Sequence, residues 1–235
     1  QLAIIKVTNP VVEDALAGAL EAYKKAYEVD LKKSKVKDIT LGLETIAQKY
    51  LDEGMTSYML GDLAGASVCF ENAVNASATA PLSKVDTTSL YNAGFTAWMV
   101  KDYPRAEQFF NKCLEAGYYY EGGEVFAKLA DIYNNTDRKD AARDVLEKGF
   151  VAYPQSQSIL IGLINYYLES KQSPERLFEL IAEAKKNEPN NASLYYVEGN
   201  IYNELGQKDK AVEAYYKCVE INPEYEFGFI GAGIL

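Results

Sequence analysis

One register runs through most of this chain. Gly54, Gly94, Ala130, Asn165 and Gly199 are each followed twelve residues later by Ala66, Ala106, Ala142, Leu177 and Ala211. Four residues beyond these stands a large apolar side chain, Phe70, Phe110, Leu146, Ile181 and Tyr215. Three further on comes a small one, Ala73, Cys113, Gly149, Ala184 and Cys218. The start-to-start spacings are 40, 36, 35 and 34 residues, the period of stacked helical repeats rather than of one globular core. Such an array has no fixed domain size, so the 235 residues are read as one array.

The pattern has a physical sense. Small residues let two antiparallel helices approach closely, and a large side chain fills the gap between one hairpin and the next. The last three units close on Pro154, Pro189 and Pro223, where the missing N–H stops the second helix. The expected helices lie near 88–100 and 104–116, 123–134 and 138–151, 157–170 and 174–187, and 192–205 and 208–221. Upstream, a helical stretch reaches Leu60, Gly61-Asp62 makes the turn, and a partner helix covers about 64–76. The small and turn-forming residues of 77–88 form a loop insertion that lengthens the first spacing. Residues 11–33, opened by the start signal Asn9-Pro10, carry Ala19, Tyr23 and Ala26 and read as the second helix of an incomplete repeat.

Composition narrows the function. A hydrophobic content of 48% with 25% charged residues belongs to a folded chain and not a disordered one. No stretch approaches eighteen uninterrupted apolar residues, so no membrane span is expected. The formal charge of −10 argues against a nucleic-acid partner. The basic run Lys32, Lys33, Lys35 and Lys37 is read as a solvated inter-helix linker. Cys69, Cys113 and Cys218 form no CxxC pair and are expected to be buried free thiols. Histidine is absent, which removes Ser/His/Asp and Cys/His catalysis and His-ligated zinc. No cofactor or metal site is expected: Gly61–Ser67 and Gly117–Gly123 lack the Gly-Lys-Ser/Thr ending of a phosphate loop, and no metal-loop spacing occurs. Carboxylates such as Asp131, Asp137 and Asp140, or Glu175 and Glu179, are read as solvated faces, and the chain as no enzyme.

The run YYVEGNIYNELGQKDKAVEAYYKCVEINP at 195–223 resembles a tetratricopeptide repeat in Gly199, Tyr202, Gly206, Ala211, Tyr215, Cys218 and Pro223. The units from Leu90 and Phe126 match less fully, and that of 158–189 departs most, with Asn165, Leu177 and Ile181. The resemblance implies an all-α, right-handed superhelical solenoid of antiparallel helix hairpins, about five repeats with partial repeats at both ends. The expected division is a partial repeat or helical extension over 1–46 and an array over 47–235. Its units lie near 47–86, 87–122, 123–157, 158–191 and 192–225, with a truncated unit at 226–235. In the last, Gly233 and Phe229 keep the period of Gly199 and Tyr195. An apolar half-helix there, after a start within a repeat, reads as a fragment of a longer protein or an edge covered by a partner.

In tetratricopeptide arrays the first helices line a concave groove that holds a protein or peptide. Carried over, the resemblance places Leu51, Met55, Tyr58 and Met59, then Tyr91, Phe95, Trp98 and Met99, on an apolar half. Asp131, Asn134, Asn135, Tyr166, Tyr196, Asn200 and Asn203 form an Asn- and Tyr-rich half. Aromatics and Met suit a protein-binding surface, and Asn can pair with an extended backbone. The competing reading is that these aromatics pack between hairpins or are covered by the N-terminal segment. Some family members grip a terminal carboxylate with Lys and Arg, but Leu51, Asn92 and Lys128 occupy the corresponding places, so a chaperone tail is not the expected ligand. The expectation is therefore a non-enzymatic interaction scaffold. The alternatives are a self-assembling subunit stacking through open ends around Phe227–Leu235, possible as a homo-oligomer, and the recruiting region of a larger protein. Few Arg, many Tyr and Asn and the Gln start lean towards a bacterial exported protein, with a cytoplasmic one as the alternative.

Overall fold

The computed structural model describes residues 14–234, and every regular element among them is helical. The start signal Asn9-Pro10 and the opening of the first expected helix lie outside the described residues. The chain divides into two compact units, residues 1–118 and 119–235.

The first unit holds α1 (Ala15–Val29), α2 (Val36–Met59), α3 (Leu63–Ala78), α4 (Thr87–Met99) and α5 (Tyr103–Glu115), each packed on the next. Asp14 caps α1 by accepting the N–H of Ala17. Asp30 ends it, its carboxylate taking the N–H groups of Ser34 at 3.0 Å and Lys35 at 2.7 Å, which holds that carboxyl below its ordinary value. The linker this bond closes carries exposed Lys32, Lys33 and Lys35, while Lys37 is exposed in the first turn of α2. Leu20, Ile39, Leu43, Ile46 and Tyr50 form the core of this end, flanked by Tyr23.

The second unit holds α6 (Glu124–Asn135), preceded by one 3-10 turn at Glu121–Gly123, then α7 (Lys139–Ala152), α8 (Gln157–Ser170), α9 (Pro174–Asn187), α10 (Ala192–Glu204), α11 (Lys208–Ile221) and α12 (Glu226–Ile234). Successive helices pack on one another, and α6 also meets α8, as α10 meets α12. Pro154, Pro189 and Pro223 each stand two residues beyond a helix end, where the register placed them.

One turn recurs inside the hairpins because one geometry closes it. The N–H groups of Asp62, Asp102, Arg138 and Gln207 reach back to the carbonyls of Ser57, Ala97, Tyr133 and Tyr202 at 2.8–2.9 Å, the bond that satisfies the last carbonyls of a helix. It requires a left-handed residue just before, supplied by Gly61 (φ +82°) and Gly206 (φ +73°) without strain but by Lys101 (φ +61°) and Asp137 (φ +59°) elsewhere. Asp62 and Asp102 then cap the second helix through the N–H groups of Gly65 and Arg105.

The spacing of 40 has its cause in the segment between α3 and α4. Asp86 caps α4 by accepting the Ser89 N–H at 3.1 Å and hydroxyl at 2.8 Å, and Leu82 packs against the first-unit core beside Leu51. Leu82 thus anchors the insertion on the hairpin, while Ser83, Lys84 and Val85 are exposed.

Candidate interaction surface

In the first unit, α2 and α4 carry the same kind of side chain at positions forty residues apart: Leu51 and Tyr91, Met55 and Phe95, Tyr58 and Trp98, Met59 and Met99. The depth of these positions differs. Met55, Tyr58, Met59 and Met99 are exposed, Met59 to 69%. Phe95 and Trp98 are half-buried, their rings 5.8 Å apart and stacked, and Phe95 stacks on Tyr91 at 6.0 Å. These are offset-stacking distances, at which rings also hold one another in place. All three methionines of the chain fall within this set.

Two of the expected groove residues do another job. Tyr91 is only 7% exposed, enclosed by Phe110 at 5.9 Å and Tyr118 at 6.4 Å. It braces the hairpin. Leu51 is half-buried and, like Leu82, packs against the first-unit core.

In the second unit the corresponding positions are mostly polar and engaged locally. The Asn135 amide donates to the Asp131 carbonyl at 2.8 Å and carboxylate at 3.2 Å, while Asn134 is exposed. The Tyr166 hydroxyl donates to Asp140 at 2.8 Å and accepts from Arg143 at 3.0 Å. Asn200 accepts from the Tyr215 hydroxyl at 2.8 Å, and Asn203 is exposed. Tyr196 sits half-buried among Tyr215, Tyr225 and Phe227, with ring centroids 5.8–5.9 Å away. Aromatic packing therefore accounts for Tyr91, within its own hairpin, and for Tyr196, against Tyr225 and Phe227 beyond its hairpin, and not for the methionines.

Sequence reasoning missed one ionic cluster. Arg176 on α9 donates to both oxygens of Glu147 on α7, at 2.6 and 3.2 Å, and Tyr167 on α8 adds a third bond at 2.9 Å. Burial pushes the Glu147 carboxyl upward, but these bonds outweigh it and hold the group below its ordinary value. Its only sequence signal is an arginine among carboxylates, common to any solvated helix face. The thiols also depart from expectation in part: Cys113 and Cys218 are buried, whereas Cys69 is half-buried. No group of three or more potential metal ligands occurs among the described residues, and none of their helices is long and apolar enough to cross a membrane.

Consecutive helix hairpins, three of them seating a ring of the second helix against a glycine of the first, define a helical-repeat interaction scaffold. Its fold is the tetratricopeptide-repeat solenoid. Residues 192–225 match the family profile described as tetratricopeptide repeat. The TPR repeat-containing protein MJ1428 of Methanocaldococcus jannaschii is 23% identical over 212 residues, covering 90% of this chain. The matched stretch spans 30% of that relative's length. Among solved structures, YrrB, described as a TPR protein with an unusual peptide-binding site, superposes with a TM-score of 0.59 at 20% identity over 92% of this chain and all of that one. A MamA structure gives 0.62 at 20% identity, over 76% of this chain and 92% of its own. These likenesses establish the fold, and scaffolding between proteins, generally without catalysis, is what that fold is used for.

Proposed function

We propose that the chain binds a protein or peptide partner on the first-helix faces of its hairpins, with the apolar contact made by the first unit. The observation that carries this reading is the matched row on α2 and α4, with Met55, Tyr58, Met59 and Met99 exposed. Monomeric surfaces scatter single apolar residues, whereas flexible thioethers beside rigid rings suit a recognition surface. Asn134 and Asn203, exposed at equivalent positions of the second unit, offer donors and acceptors to a backbone. YrrB, a structural relative with a peptide-binding site of its own, is consistent with this use of the fold.

The test is affinity capture with mass spectrometry from an extract of the source organism, comparing the chain with a Met55→Glu/Met59→Glu variant of unchanged melting temperature. Both side chains are exposed, so the substitutions spare the core. A specific protein captured by the parent and lost by the variant supports the reading. Identical captures place the contact elsewhere.

A second reading rests on α12, where Phe227, Phe229 and Ile230 are each more than half exposed. Copies of the chain would assemble through that helix, and mass by light scattering would rise with concentration and fall back in Phe229→Glu. The matched stretch being under a third of the archaeal relative also fits a recruiting region within a longer protein.

A further inference from the structure

The hairpin α8–α9 departs most from the repeat, and beside it α8 and α10 do not pack as α6 and α8 do. A slot of about 70 Å³ opens between them, several times the roughly 10–15 Å³ that admits one water-sized group. Its floor is aliphatic: Leu160 and Ile164 from α8, with Leu194 from α10 opposite. Ile161, 49% exposed, forms the lip. The space suits a chain of four or five methylene-sized groups.

The mouth carries one carboxylate. Glu188, just past the end of α9, accepts the Gln157 amide on one oxygen at 2.5 Å and the Asn191 amide on the other at 2.7 Å. Asn191 is itself fixed, its oxygen taking the N–H and hydroxyl of Ser193. A carboxylate has about four acceptor sites, so two neutral donors orient Glu188 and leave capacity for another. No cation among the described residues pairs with it. The two lysines of the last turn of α9 turn away, Lys185 to Glu198 and Lys186 to Glu183.

We propose that this slot receives a protruding lysine side chain of a partner protein. Its four methylenes would lie along Leu160, Ile164 and Leu194, and its ammonium would complete the coordination of Glu188. An aliphatic stem ending in a cation matches both the floor and the mouth, and the four methylenes and compact ammonium of lysine suit the narrow slot better than the broad planar guanidinium of arginine. The net charge of −10 favours approach of such a basic segment. The site belongs to the second unit, whereas the apolar row of α2 and α4 belongs to the first.

The probe is Nα-acetyl-lysine N-methylamide, titrated into the full chain labelled on methyl and side-chain amide groups and followed by NMR. Nα-acetyl-norleucine N-methylamide serves as the uncharged control, an aliphatic stem without the ammonium. Saturable shifts are expected at the Ile161 and Leu194 methyls and at the Gln157 and Asn191 amides, with the norleucine probe about tenfold weaker, the scale of one charge-assisted hydrogen bond. In Glu188→Gln the lysine probe should fall to the norleucine level, read on the methyls. Ile161→Ser, on the exposed lip, should weaken both probes with the fold intact. Equal binding of the two probes, an unchanged preference in Glu188→Gln, or non-saturating shifts spread over surface carboxylates would each overturn the assignment.

Discussion

Phe70 occupies the space a side chain on Gly54 would need: a Cβ built there falls 2.6 Å from the ring. The same pairing joins Gly199 to Tyr215 at 2.5 Å and Gly94 to Phe110 at 3.0 Å. Where the second-helix residue is aliphatic, as in Leu146 and Ile181, the first helix carries Ala130 and Asn165. Gly54→Ala forces a fully buried ring to move. Overpacking costs typically about 1–3 kcal/mol, and the better helix propensity of Ala offsets up to about 1 kcal/mol. Thermal unfolding should show net destabilisation for Gly54→Ala and Gly199→Ala. A gain in stability would mean the ring is not confined.

Tyr91 and Met59 separate bracing from presentation. Tyr91→Ala empties a site closed by Phe110 and Tyr118 and should cost about 3–5 kcal/mol, as other buried aromatics do. Met59→Ala, at 69% exposure, should stay within about 0.5 kcal/mol. Urea titration of the two variants measures both.

The Glu147 cluster gives a pH dependence. Its carboxyl is depressed in the folded chain, so the stabilisation is present above the unfolded value of 4.5 and lost as pH falls through the lower folded one. Arg176→Met leaves a half-buried carboxylate short of two bonds and should cost roughly 1–3 kcal/mol at neutral pH. The gap between parent and variant should shrink as pH falls below the ordinary carboxyl value of 4.5 and Glu147 protonates. A gap that stays constant from neutral to acid would assign the loss to the arginine guanidinium lying over the Phe150 ring.

Thiol chemistry should follow burial. Desolvation pushes the Cys113 thiol up to about 12 and raises those of Cys69 and Cys218 above their ordinary value. Thiolate is the reactive form, so a disulfide reagent near neutral pH should modify half-buried Cys69 first and reach Cys113 only as fast as the chain unfolds. Mass mapping of the modified peptides over time decides it.

The fold was legible because the register repeats: helix limits expected from the glycine, ring and proline positions fall within one or two residues of those observed for α4 to α11. The surface was legible only as a face. Helical spacing assigns Tyr91 and Met59 to one side of their helices but cannot say how far a neighbour covers it, and Phe110 and Tyr118 decide that for Tyr91. Pairings such as Arg176 with Glu147 and Gln157 with Glu188 join residues about thirty apart. They depend on how one hairpin seats on the next, which no local pattern of charges encodes.

The confinement of every methionine to the α2 and α4 row makes that row chemically addressable. Peroxide at low dose converts accessible thioethers to sulfoxides, and Met55, Met59 and Met99 are the only ones this sequence offers. Oxidation would turn an apolar face polar while leaving the core without a methionine to oxidise. Methyl-labelled methionine would likewise give three resonances, all reporting from that one face.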